Sequence, residues 1–451
     1  MFQAFGNIFK VPELRRKVLF TLFIIFIYRI GTYVPTPGID GVALANFFQS
    51  IARTPGGQLF GIMGMFSGGA LQKATIFALG IMPYISSSII LQLLTVVIPY
   101  LEKLAKEGEE GRKKIIQYTR YGTVLLSIIQ TFFISLWLEN PYAFQGTVIV
   151  PNPGWGFRLM TILTLTTGTA FIMWLGEQID QYGIGNGMSI LITAGIIESI
   201  PSALWQTYLL LSPLDPARQQ LAWWKFALMV GLFIGTVVGV ILIIQGQRKI
   251  PVQYAKQIRG HRMYGGQSTY LPLKVNQAGM IPIIFAQSVI LFPATIAGFF
   301  PHAGLLNQVA QSLGRGSFLY SFVYALLILF FTYFYTAITF NPIEVSDNLQ
   351  KYGGFIPGIR PGKNTAEYLD YVMTRIATSG AVFLAVIALF PNVMQSPRVL
   401  NIPFLIASFF GGTGLLIIVG VVLDTMKTIE SQLLMRHYEG FIKRGKLKAR
   451  R

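Results

Sequence analysis

Long apolar runs separated by short polar stretches dominate the chain. Leu19–Ile27, Ile76–Ile98, Ile115–Leu138, Phe226–Ile244, Val382–Phe390 and Leu415–Leu423 are nearly free of charge. A hydrocarbon layer of about 30 Å is crossed by about 20 helical residues, since each adds about 1.5 Å of rise. The pattern therefore predicts ten helices, over roughly 18–34, 74–98, 115–138, 157–176, 188–211, 224–245, 276–297, 318–340, 371–390 and 402–426. Residues 298–317 leave room for a surface helix between the seventh and eighth. Lys10, Arg15, Arg16 and Lys17 precede the first run, but Tyr-Val-Pro-Thr-Pro rather than a small-residue cleavage site comes after it. It reads as a retained helix, not a signal peptide.

Composition agrees with the pattern. The chain is 53% hydrophobic and 12% charged, where a soluble domain carries about a quarter charged residues. There is no cysteine, and the three histidines (His261, His302, His437) are far apart. Disulfides, thiol chemistry and Cys- or His-built metal centres are thereby set aside, and no cofactor is expected.

Charge assigns the two sides. If the N-terminus is cytoplasmic, both termini are, and 28 of the 36 Lys and Arg fall on the cytoplasmic side against seven on the other, with Arg29 inside the first helix. That asymmetry orients a multi-pass membrane protein. The connection between the fourth and fifth helices is the exception, holding Glu177 and Asp180 without a base. Ten helices divide into five and five, and an odd number per half puts the halves in opposite orientations. The expected fold is an all-α transmembrane bundle of two inverted halves, 1–211 and 212–435, and then a basic cytoplasmic tail, 436–451.

Two segments break the helical pattern. Residues 58–70 are glycine-rich and too short to span, with Phe60, Met63, Met65 and Phe66 among the glycines. Such a piece is either a surface hairpin or a re-entrant segment that lines or fills a cavity. The loop 246–275 carries Arg248, Lys249, Lys256, Arg259, Arg262 and Lys274 with no acid, and Gly265-Gly266 suggests a turn at its tip. It either anchors topology against anionic phospholipids or docks a large anionic partner such as ribosomal RNA or an acidic protein surface. The loop 341–370, with Arg360, lies on the same side.

Several blocks carry a family resemblance. They are Phe66-Ser-Gly-Gly-Ala70, Phe77-Ala-Leu-Gly-Ile-Met-Pro-Tyr-Ile-Ser86 running to Gln92, and Gln117-Tyr-Thr-Arg-Tyr-Gly122. Trp174-Leu-Gly-Glu-Gln-Ile, Tyr182-Gly-Ile-Gly-Asn-Gly-Met-Ser-Ile190 and Gln267-Ser-Thr-Tyr-Leu-Pro-Leu-Lys-Val-Asn276 come next, then Phe340-Asn-Pro342 and Pro357-Gly-Ile-Arg-Pro-Gly362. Together, and in this order, they resemble the SecY family of protein-translocation channels.

The resemblance implies a clamshell of two five-helix halves around an hourglass pore. It implies an apolar ring of Ile81, Ile85, Ile192, Ile284 and Ile417, and a plug containing Phe60, Met63, Met65 and Phe66. It further implies a lateral gate with Ser86 and Gln92 on one lip and Ser288 and Phe292 on the other. The small membrane subunits SecE and SecG, the motor ATPase SecA, the ribosome, and signal peptides with their nascent chains are the implied partners. Without the resemblance, the five isoleucines read as ordinary bundle core. Isoleucine nevertheless suits such a ring: an apolar constriction excludes water and ions by dewetting and offers a passing chain no hydrogen bond. Ile81 and Ile85 are four apart and share one helix face.

The leading expectation is a protein-conducting channel that passes unfolded secretory chains and releases hydrophobic segments into lipid. An ion-coupled secondary transporter is the alternative, since inverted repeats are common there. Transporters place ionisable groups near the midplane, and Glu198, deep in the fifth helix, is the acid that keeps this alternative open. No nucleotide-binding Gly-x-x-x-x-Gly-Lys-Ser/Thr loop occurs, so the driving energy comes from outside the chain.

Overall fold

The structure is a computed structural model. It describes residues 11–51, 64, 67–144, 146–212, 222–254, 257–259, 262–264, 268–299, 312, 317–395, 400 and 402–444. In the first half the helices are α1 (Pro12–Gly31), α2 (Gly41–Ile51), α3 (Met82–Val97), α4 (Pro99–Lys106), α5 (Glu109–Leu138), α6 (Trp155–Tyr182) and α7 (Gly187–Leu211). In the second they are α8 (Trp223–Gln245), α9 (Ile281–Phe299), α10 (Phe318–Thr339), α11 (Pro342–Lys351), α12 (Lys363–Gln395), α13 (Phe404–Gly411) and α14 (Thr413–Arg444). Among the described residues six helical stretches, four of them in α5–α8, are individually long and apolar enough to span a membrane, and α3 with α4 makes a seventh as a bent pair. The other expected spans fall on α1, α9 and α13–α14.

The helices are built for lipid outside and close packing inside. Exposed faces remain apolar, as at Leu163, Leu242 and Val386. The buried face of α5 is instead a small-residue row at four-residue spacing, Thr119, Thr123, Ser127, Thr131 and Ser135. Small hydroxyl residues let membrane helices approach closely, because lipid supplies no hydrophobic force between them. The hydroxyls of Thr119, Thr123, Ser127 and Ser135 donate to carbonyls three or four residues back, which satisfies them without a partner helix.

The second expected helix begins later than the pattern suggests. Residues 67–81 form turns rather than helix, and α3 starts only at Met82. Gly68, Gly69 and Gly80 have positive φ there, which breaks helical continuation. Thr36 N donates to Ala74 O (2.8 Å) and Ile76 N to Val34 O (3.0 Å), tying the segment to the chain leaving α1. At its other end, α3 stops at Ile98 before Pro99, and α4 leaves at 100°. The residue before a proline avoids the helical region, and Ile98 is extended (φ −97°, ψ 114°). The tenth expected helix is likewise interrupted, at Gly412.

The segment read as the loop 246–275 is a β-ribbon. Strand β1 (Gln247–Tyr254) pairs antiparallel with β4 (Ser268–Lys274), from Gln247 opposite Lys274 to Gln253 opposite Ser268. Short strands β2 (Gln257–Arg259) and β3 (Arg262–Tyr264) pair beyond it. Strand β5 (Gly354–Phe355), from the loop 341–370, joins the free edge of β1. Ile250 and Val252 alternate inward and bury with Leu273, Ile356, Leu369, Val372 and Met373. Two basic loops distant in sequence thus become one small platform with its own apolar core.

Candidate functional site

The largest core cluster takes residues from elements spread along the whole chain, from α1 to α14. It contains Ile81, Ile85 and Ile89 around α3, Ile192 and Ile196 from α7, Ile283 and Ile284 from α9, and Leu416, Ile417 and Val421 from α14. All five isoleucines expected to form the ring therefore bury in one cluster contributed by four separate stretches of chain. None is more than 6% exposed. A close-packed apolar cluster of this kind excludes water.

The Gly183-x-Gly185-x-Gly187 motif helps to position Ile192. A Cβ on Gly187 would overlap the carbonyl oxygen of Gly176, so glycine permits α7 to start hard against α6. Asp180 accepts from Gly187 N (2.7 Å), and Asn186 caps α7 by accepting from Ser189 N (2.9 Å). Ile192 stands about one turn and a half into the helix so anchored.

Around this cluster the helices form two pairs. Ser87 Oγ on α3 donates to Thr119 O on α5 (2.9 Å). On the other side, Phe285 of α9 meets Phe331 and Tyr335 of α10 edge-on, with centroids 5.7 and 5.9 Å apart. Where the pairs face each other, Gln92 of α3 lies near Tyr335 of α10, and Gln92 Nε2 donates to Ser88 Oγ (3.2 Å). Ser86 is half-buried on α3. Ser288 Oγ donates to Ile284 O within α9 (2.9 Å). Phe292 lies on α9, its side chain outside those described. Tyr335 had no signal in the sequence, because a tyrosine among Phe-Phe-Thr-Tyr-Phe-Tyr reads as ordinary span.

The four expected plug residues, Phe60, Met63, Met65 and Phe66, lie outside the described residues. Immediately after them in the chain, Ser67 and Ala70 are buried, and Ala70 belongs to the same core cluster as the isoleucines. Glu198 is not a lone midplane acid. It pairs with Arg29 of α1 and with Lys73 (3.3 Å). The acidic connection between α6 and α7 is also compensated, since Arg120 Nε on α5 donates to Glu177 (2.6 Å). That pair explains how a base-free connection sits on the basic side.

On the platform, Arg248 and Lys249 of β1 and Arg360 are exposed at the surface. Arg259 and Arg262 lie on β2 and β3 with side chains outside those described, and Lys256 is outside the described residues altogether. Arg248 and Arg360, 112 positions apart, share this one sheet-based unit.

Comparison with known proteins is consistent with this arrangement. The SecY family model matches residues 75–426. The chain is 49% identical over 449 residues to the protein translocase subunit SecY of Streptomyces scabiei, covering 98% of this chain and 100% of that protein. It is 47% identical over 440 residues to the same subunit of Escherichia coli (strain K12), covering 97% and 95%. Three solved structures are similar in fold. One is described as a protein conducting channel (TM-score 0.63, 17% identity, 96% and 95% covered). The second is a SecY whose plug domain is described as stabilising the closed state and maintaining a membrane seal (0.62, 16%, 96% and 95%). The third is Sec61 in the canine ribosome–channel complex of the endoplasmic reticulum (0.58, 17%, 96% and 95%).

Proposed function

This chain belongs to the SecY family of protein-translocase subunits and is a multi-pass, protein-conducting channel, and from that premise we propose how its parts divide the work. Ile81, Ile85, Ile192, Ile284 and Ile417 form the constriction; the single observation that supports this is their burial in one cluster drawn from both halves. An apolar ring seals by dewetting and yields to a polypeptide, which it grips only by dispersion. The halves correspond to 1–211 and 212–435. The pairs α3–α5 and α9–α10 are the lips through which hydrophobic segments reach lipid, with Ser86, Gln92, Ser288 and Phe292 along the opening.

The stretch 58–70, with Phe60, Met63, Met65 and Phe66, is the plug in this reading, by analogy with the seal described for the similar SecY. The platform docks the driver, with Arg248, Lys249, Lys256, Arg259, Arg262 and Arg360 facing an anionic surface. A ribosome is supported as one such driver by the canine complex, and the motor ATPase SecA is proposed as another. SecE and SecG are proposed as companions in an inner membrane, with both termini cytoplasmic. The chain carries no catalytic step of its own in this reading. The secondary-transporter alternative loses its main ground, because Glu198 is already engaged by two cations.

Replacing Ile85 and Ile417 together with Asn tests the ring. Asn is of similar size but hydrates the constriction, and each change removes about 1.5–3 kcal/mol of apolar burial from the closed state. Purified double mutant in planar bilayers should conduct ions without substrate. A silent, well-folded mutant would count against the site.

A further inference from the structure

The ion cluster around Glu198 joins two helices to a segment made of turns. Its carboxylate lies on α7, six residues beyond Ile192, and is only 16% exposed. One cation, Arg29, comes from the last turn of α1. The other, Lys73, comes from neither helix but from the turn segment 67–81 that leads into Ile81. Tyr33 collects both cations: Arg29 Nη2 donates to its hydroxyl (2.9 Å), and its ring lies 5.0 Å from the Arg29 guanidinium and 4.0 Å from Lys73 Nζ. Buried Tyr28 closes the same corner.

The segment lies directly against the carboxylate. Gly68 and Gly69 have φ of +61° and +72°. A Cβ on Gly68 would stand 3.1 Å from Glu198 Oε2, and one on Gly69 would stand 3.4 Å from Glu198 Oε1. The positive φ favours glycine at both positions, and at Gly68 the close approach leaves little room for a side chain as well. Lys73 is otherwise a surface side chain, 41% exposed. Arg29 and Glu198 belong to packed helices, so their pair joins parts that already touch. The Lys73–Glu198 pair joins a helix-bound anion to a stretch without helix of its own.

We propose that Glu198 is a positioning residue for the resting channel: it fastens the segment 67–73, through Lys73, beside the apolar ring, and opening requires that pair to break. The inference rests on the channel reading above. Arg29 holds the carboxylate in place, keeping a buried-side charge compensated while the segment is away. Lys73 is the releasable partner, because its side chain is already partly in solvent and its ammonium can return to water at little cost. The two cations thus have different duties, and the duties separate by experiment.

Glu198→Gln and Lys73→Gln keep side-chain size and remove one charge each. Each single variant, purified and reconstituted in planar bilayers, should raise resting ion conductance by roughly three- to tenfold, the range expected for losing one partly exposed charge-assisted pair. The double variant should conduct no more than either single, because both remove the same interaction. Lys73→Arg, which keeps a cation opposite Glu198, should retain most of the seal that Lys73→Gln loses, which a merely structural role for the lysine stem would not predict. Arg29→Gln should lower thermal stability more than it raises conductance. Unchanged conductance in both single variants, with the Ile85/Ile417 double mutant conducting, would overturn the fastening while leaving the channel reading intact. Additive effects of the two changes would overturn it as well. Silence in all variants, the isoleucine pair included, would instead overturn the channel reading on which the fastening depends.

Discussion

A polar pair of side chains marks the seam between the two helix pairs. Gln92 of α3 lies near Tyr335 of α10 across it, within reach of a polar interaction, while Ser87 fastens α3 to its own partner α5. Interhelical hydrogen bonds in membranes contribute about 0.6–2 kcal/mol, a strength that holds a closed seam yet yields to a bound hydrophobic segment. Replacing Gln92 with Leu, or Tyr335 with Phe, should therefore ease opening without unfolding the protein. Export of a client with a weakened signal sequence should rise about three- to thirtyfold for either change, and the double replacement should add little. Export that is unaltered by both, in protein of normal yield, would place the seam elsewhere.

At the scale of elements, the basic platform is where secondary structure was least legible. Read as a polar loop, 246–275 shows few long apolar runs, yet Ile250 and Val252 alternate inward and Leu273 closes on them from β4. The third strand comes from a loop about a hundred residues away, and no local pattern announces such a pairing. The surface cations ride on this rigid unit, so reversing them should change binding but not folding. Arg248→Glu and Arg360→Glu are each expected to weaken cosedimentation with ribosomes at low salt. The difference from the unaltered protein should shrink as salt rises, because screening weakens both. Circular dichroism should stay unchanged. Binding that ignores both reversals across the salt series would remove the platform from the interface.

For the whole molecule, the proposed function has the two halves separate at a cluster to which both contribute residues. Holding the lips together should then stop transport even with every pore residue intact. The cysteine-free chain makes the test clean: Ser86→Cys with Phe292→Cys introduces the only thiols. Oxidation should abolish export of signal-bearing clients, and reductant should restore it. Full export with the bond quantitatively formed would argue against movement at this seam.

Taken by itself, the sequence determined the helical, membrane-spanning character, the sidedness of charge and the family blocks. Each of these is local, a matter of apolar length, Lys and Arg count, or residue order. It also marked Glu198 as a deep acid in need of an explanation, and the glycines at 68 and 69 as a break in the helical pattern. Which residues meet was decided only by tertiary structure. Ile81 and Ile417 lie more than three hundred positions apart, as do Ile85 and Ile417, yet share one cluster. Every span is apolar on most faces, so hydropathy does not tell a lipid-facing isoleucine from one at the axis. The cations that answer Glu198 come from α1 and from a turn more than a hundred residues earlier, and complementary charges pair by position in space. Lipid rewards any apolar face, and only packing selects the one turned inward.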